Sequence, residues 1–137
     1  MTMSLFKVFD ISGSALRAQT VRLNTTASNM ANIDSISSST ATTYRSRQPV
    51  FAAQLDAAED DVAGVDVLGI VESQAPLRRE YRPDHPLADQ QGYVNLPNVN
   101  PVEEMANMIS ASRSYQTNVE VLNTSKQMLM RTLALGD

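Results

Sequence analysis

Few residues in this chain are equipped for chemistry. Among its 137 residues there is one histidine and no cysteine. His85 lies in Arg82-Pro83-Asp84-His85-Pro86, with Asp89 close behind. An Asp-His pair supplies two metal ligands at most, whereas a zinc site takes three or four, and no second histidine or cysteine exists to complete one. A turn stiffened by prolines accounts for the segment better, and a small hydrolase built on His85 and nearby aspartates is disfavoured. Glu59, Asp60 and Asp61 are adjacent in an apparent loop, a pattern of solubility more than of acid–base work. Arg78-Arg79-Glu80-Tyr81-Arg82 reads as a basic strand edge, suited either to docking an acidic neighbour or to keeping the edge solvated. Glycine-rich phosphate loops, nucleophile elbows and dinucleotide fingerprints are missing. The expectation is a protein that is not an enzyme, with no cofactor, metal or small-molecule substrate. A formal charge of -4 without a basic block also argues against nucleic acid.

The informative pattern lies in the two ends. The first places Phe6, Phe9, Leu16, Leu23 and Met30 on one helical stripe, with Gly13, Thr20 and Ala27 between them. The second places Met105, Met108, Tyr115, Val119, Leu122, Leu129 and Leu133 on another, interrupted by Ser112 and Lys126. Alternating steps of three and four keep one stripe facing a partner helix. Helices over 4–33 and 101–134 would measure roughly 45 and 50 Å at 1.5 Å per residue, more than the width of a small domain. Much of each would be bare in a lone subunit. Seven methionines, three of them on these stripes, suit irregular packing better than a cofactor box.

The polar residues of these helices are unusual in kind. Residues 12–33 carry two charges, Arg17 and Arg22, among ten Ser, Thr, Asn and Gln. A water-facing helix normally shows Lys and Glu, and hydroxyls and amides are poorer helix formers. They fit faces that become buried, because a neutral polar group costs far less to desolvate than a charge. Two lysines against nine arginines point the same way.

The chain divides into a first helix over 1–34, an extended, β-rich and loop-rich middle over 35–99, and a second helix over 100–137. Ser4 is an acceptable first cap, and Ser12-Gly13-Ser14 marks a bend or a close helix crossing. Ser35 to Thr40 reads as a flexible connector. Tyr44 to Phe51 reads as extended, Val65 to Val71 as the clearest strand, and Leu77 to Tyr81 as its partner. Tyr93 to Leu96 is also extended. Asn100 as N-cap, Pro101 at the first helical position and Glu103 as a capping-box carboxylate open the second helix, which stops at Gly136. The fold class expected is α+β and elongated. Its long terminal helices form an antiparallel coiled-coil-like pair, with the small β-rich segment at one end. No run approaches the ~20 apolar residues of a membrane span. The beginning, with Met1 or Met3 as the start, does not read as a secretory signal.

Three segments resemble the bacterial flagellar rod and hook proteins. Ala27-Ser28-Asn29-Met30-Ala31-Asn32-Ile33-Asp34 is similar to the Asn/Ala motif closing their first helix, and it adds Asn29 and Asn32 to the packing positions. Tyr44-Arg45-Ser46-Arg47-Gln48-Pro49-Val50-Phe51 is similar to the extended segment that follows in proximal-rod members. His85-Pro86-Leu87-Ala88-Asp89, Gly92-Tyr93-Val94 and Pro97 through Met105 carry the most specific likeness, continuing from Met108 to Gln116 and from Asn118 to Asn123. The chain departs from many relatives in Ser37 to Thr43, where they carry a Gly/Pro-containing turn. The resemblance implies a structural subunit of the proximal rod in the flagellar basal body. Such a subunit polymerises through its terminal helices into a hollow periplasmic drive shaft that transmits torque and passes exported subunits. Implied partners are copies of itself, other rod proteins and, in transit, the flagellar type III export apparatus, which removes no signal peptide. The alternative is a helical binding module or secretion chaperone gripping one partner through an amphipathic groove.

Overall fold

The computed structural model of the chain describes residues 4–58 and 61–136. The expected acidic turn at Glu59 and Asp60, and the choice between Met1 and Met3, lie outside the described residues. Ser4 opens the first helix, α1 (Leu5–Ala31), by accepting the Lys7 N–H on its hydroxyl at 3.2 Å. Asn32 closes it, folding its side-chain amide back onto the Ser28 carbonyl at 2.8 Å. The helix runs unbroken through Ser12-Gly13-Ser14, and the close approach there is to a strand.

Two antiparallel pairs follow. β1 (Arg47–Asp56) pairs with β2 (Asp61–Glu72), from Arg47 opposite Glu72 to Asp56 opposite Asp61, with irregularities after Val50 and Gln54. β3 (Arg78–Tyr81) pairs with β4 (Tyr93–Leu96). The expected pairing of Leu77–Tyr81 with the Val65–Val71 strand is therefore corrected. β2 is taken by β1, its neighbour across a short turn, the cheapest loop to close. Beyond β2 the Arg45 guanidinium and the Asn98 amide hold the Ser73 and Ala75 carbonyls, which draws the chain off the hairpin before β3 begins. The Ser-rich segment is not a bare tether. Ser37, Ser39, Thr42 and Thr43 bond to one another and to the Ser39 carbonyl, and Ser37 bridges to Asn95 through its backbone. Hydroxyls there satisfy a tight turn that composition alone reads as flexible.

Asn100 starts α2 (Pro101–Leu135), accepting the N–H groups of Val102 and Glu103 at 3.0 and 3.3 Å. Pro101 occupies the first helical position, and Gly136 ends the helix by donating to the Leu133 carbonyl. Helices of 27 and 35 residues measure about 40 and 52 Å. α1 lies between α2 on one side and the β1–β2 hairpin on the other.

Little aliphatic mass is enclosed. Among the described residues the buried hydrophobic side chains are Ala18, Val94, Leu96, Val99 and Ala111, with Pro97 beside them, and buried hydroxyl, amide and carboxylate groups outnumber them. Where α1 meets β2, the Ser14 hydroxyl donates to the Ile11 carbonyl at 2.7 Å and accepts the Val65 N–H at 2.9 Å. Gly64 makes this contact possible, since a Cβ there would stand 2.6 Å from Ser14 Oγ and 3.2 Å from Ser14 Cβ. Gly64→Ala is expected to cost about 1–3 kcal/mol, as an overpacked contact does. Urea denaturation of the purified chain checks this, and an unchanged midpoint would refute the contact.

Candidate functional site

The elements meet at one junction, and its central group is Asn29. The residue is fully buried. Its Oδ1 accepts the Tyr44 hydroxyl at 2.8 Å and the Arg47 N–H at 2.9 Å, while its Nδ2 donates to the Arg47 carbonyl at 2.8 Å. The carboxamide thus pairs with both backbone groups of Arg47 as a neighbouring strand would. Tyr44 spends its proton on Asn29, so the Ser28 hydroxyl, 3.0 Å away, is the donor to Tyr44. The Arg47 guanidinium stacks over the Tyr44 ring at 5.0 Å. A second amide, Asn98, accepts the Ser46 N–H at 2.7 Å. Two side-chain amides thereby grip the strip Tyr44–Arg47 from opposite ends of the sequence. Asn29, named above as a packing position, makes these bonds within its own chain, and Asn32 closes α1.

The stripe residues are distributed in an instructive way. On α2 the buried positions are Glu104, Ala111 and Ser125, and the half-buried ones are Asn107, Met108, Ser112, Ser114, Asn118, Val119, Leu122 and Leu129. α1 is the only helix or strand packed along α2 among the described residues, so these positions face or flank the seam between them. Met108, Val119, Leu122 and Leu129 of the apolar stripe are among them. Met105, Tyr115 and Leu133 stand 53%, 37% and 64% exposed. On α1, Phe9, Leu16, Leu23 and Met30 are half-buried and Phe6 is exposed. The seam is built largely from small and polar side chains, which let helix backbones approach. Of the larger apolar groups on α2, Val102, Met105, Ile109, Met128, Met130, Leu133 and Leu135 are turned outward. Sequence reading missed Ala18, Ala111 and Ser125 because it sought apolar bulk.

A carboxylate is buried on α2. Glu104 is buried, accepting the Gln48 amide on Oε1 at 3.3 Å, while its Oε2 has no partner within the chain. Near the other candidates for chemistry, the structure gives each residue a local task. His85 Nδ1 accepts the Leu87 N–H at 3.1 Å, and no group of three or more His, Asp or Glu among the described residues could hold a metal ion. Asp89 Oδ1 accepts the N–H groups of Gln91 and Tyr93, both at 2.9 Å, and its Oδ2 meets Arg79 at 3.0 Å. The basic edge is likewise occupied at home. Arg79 pairs with Asp89 and covers the Tyr93 ring, Arg82 pairs with Glu80, and Arg78 donates to the Ile33 and Pro97 carbonyls.

Two expectations follow from these bonds. Asn29→Asp keeps shape and acceptors but sets a carboxylate against the Arg47 carbonyl, and should cost about 1–3 kcal/mol or more at neutral pH. Part of the loss should return in acid, where the protonated oxygen donates again. Chemical denaturation across pH reads both. The Tyr93 N–H, with lesser help from the Gln91 N–H and Arg79 and against partial desolvation, holds the Asp89 carboxyl below its ordinary value of 3.8. A depressed folded pKa stabilises fully above the unfolded value and is lost as pH falls through the folded one. The stability of Asp89→Asn should therefore decline less steeply than that of the parent chain over this acid range, and parallel curves would refute it.

Relatives now bear on the geometry. Residues 9–35 match the family described as "Flagella basal body rod protein", and residues 90–135 match "Flagellar basal body rod FlgEFG protein C-terminal". The chain is 54% identical over 135 residues to the flagellar basal-body rod protein FlgC of Salmonella typhimurium, covering 98% of this chain and 99% of that one. It is 52% identical over 134 residues to the protein of that name in Yersinia enterocolitica, with 98% and 99% covered. Against that of Buchnera aphidicola subsp. Acyrthosiphon pisum, identity is 43% over 138 residues, with 98% and 100% covered. The first matched segment covers most of α1 and the second contains α2, which turns apolar groups outward, and the full-length likeness spans the junction between them. The chain belongs to the flagellar basal-body rod protein FlgC family, whose members are structural components of the flagellum.

Proposed function

We propose that this chain is a non-enzymatic subunit of the proximal rod. It polymerises with copies of itself and other rod proteins through its terminal helices to build the hollow shaft that carries torque. In this reading the shaft stands in the periplasm and its subunits arrive through the flagellar type III export apparatus without a cleaved signal. The helices run as an antiparallel coiled-coil-like pair. The Arg22 guanidinium, late in α1, bonds Asn107, early in α2, at 3.3 Å, which supports that orientation.

One observation carries the proposal: α2 exposes large apolar side chains in more than one direction. Val102, Met105 and Ile109 form one row near its start, and Val121, Met128 and Leu135 form another at seven-residue spacing. Ile109 and Val121 differ by twelve residues, hence about 120° around a helix turning roughly 100° per residue. A groove-type binding module needs one apolar face; a subunit surrounded by neighbours needs several. Burying these rows at roughly 25 cal/mol per Å² opposes the entropy lost on joining the shaft. No described helix is long and apolar enough to cross a membrane, so lipid is not the occupant of a span.

Ile109→Asp should leave the isolated chain's unfolding within about 0.5 kcal/mol of the parent, because the side chain is exposed. It should abolish swimming and remove the chain from purified basal bodies. Normal motility with the variant incorporated would overturn the outward rows as assembly surfaces.

A further inference from the structure

Charge is divided unevenly along this chain. From Gln48 to Leu77 there are six acidic residues and no lysine or arginine, while the remainder carries all eleven basic residues against nine acids. That acidic stretch is the β1–β2 hairpin apart from its first residue, Arg47, which pairs with Glu72 at 3.6 Å, and it is apolar as well. Leu55 and Leu68 are 70% and 68% exposed, and Ile70 and Val71 are more than half exposed. A two-stranded sheet backed only by α1 and carrying such a surface is liable to pair with another chain. A surface of opposite character exists on the same molecule. Between Val121 and Gly136, Lys126 and Arg131 are the only charged side chains, and exposed Met128, Met130 and Leu133 lie among them. The hairpin tip already accepts a helix-borne lysine within the chain, Lys7 Nζ to Asp61 Oδ2 at 3.1 Å.

We infer that the acidic, apolar β1–β2 hairpin of one subunit docks on the basic, apolar end of α2, from Val121 to Leu135, of a second copy. The inference rests on the rod reading and names one contact within it. Opposite charges set orientation and approach, and the exposed leucines and methionines supply the area to be buried. The contact joins two different patches, so successive copies add without closing into a dimer, as a growing shaft requires.

The chain lacks cysteine, so single cysteines report the contact cleanly. Full-length chains carrying Leu68→Cys are mixed with chains carrying Met130→Cys and oxidised. A parallel mixture uses Gln90→Cys, at the exposed turn before β4. The mixed disulfide should form about fivefold or more faster for the first mixture, and the excess should shrink between roughly 0.05 M and 1 M salt. Arg131→Glu on the helix chain should slow it, and Asp66→Arg on the hairpin chain should restore it. Equal rates in the two mixtures, or rates indifferent to salt and charge reversal, would overturn the inference. So would capture of a protein of different mass by Leu68→Cys in isolated basal bodies. Absence of the chain from basal bodies would instead count against the rod reading, which the solution rates do not measure.

Discussion

The enclosed carboxamide of Asn29 is the tie on which the placement of every other element depends. It fixes where the chain leaves α1 and starts β1, and it does so with bonds to backbone, not through bulk. Enclosed hydrogen bonds of this sort contribute only about 0.5–1.5 kcal/mol each, but leaving their partners unmatched costs more, so they specify position better than they add stability. Asn98 repeats the device from the other side of the strip, and Asn100 uses the same chemistry to start α2. With so few enclosed aliphatic side chains, directional bonds replace packing as the source of a unique arrangement.

That economy inverts the usual layering of a soluble protein. The fully buried residues of the two helices are hydroxyls, amides, alanines and one carboxylate, while Met105, Ile109, Met128, Met130, Leu133 and Leu135 of α2 face out. An isolated subunit gains little from its own seam and retains most of its apolar area for others. The arrangement makes sense for a part whose stability is to be completed by its surroundings, where each helix touches several neighbours. It also explains the shortage of lysine and glutamate along the helices, since such charges would be stranded when neighbours arrive.

How far the amino-acid order alone reaches can be judged element by element. Both helices, the cap at Asn100, the stop at Gly136 and the extended character of 47–51, 65–71 and 93–96 were legible because each has a local cause: capping geometry, β-branched residues or proline placement. Strand pairing was not. Leu77–Tyr81 looked like a partner for the 65–71 strand because the two are close in sequence, while the grip of Arg45 and Asn98 on the intervening carbonyls is a long-range event. The seam was half legible. Its seven-residue period is present, but Glu104, Ala111 and Ser125 carry no apolar signal, so attention goes to the neighbouring row instead. Asn29 stood out by resemblance, yet its task follows only from where Arg47 comes to lie.

Ser46 and Ser73 are joined through their backbones at 2.8 Å, bringing the two feet of the β1–β2 hairpin to a single spot. From there the hairpin runs back along α1, held at Arg47 by Asn29, at Val65 by Ser14 and near its tip by Lys7, so it is laced to the helix at both ends and in between. A change of length in either strand would therefore have to keep those three ties in register, and the first helix acts as the ruler for the hairpin.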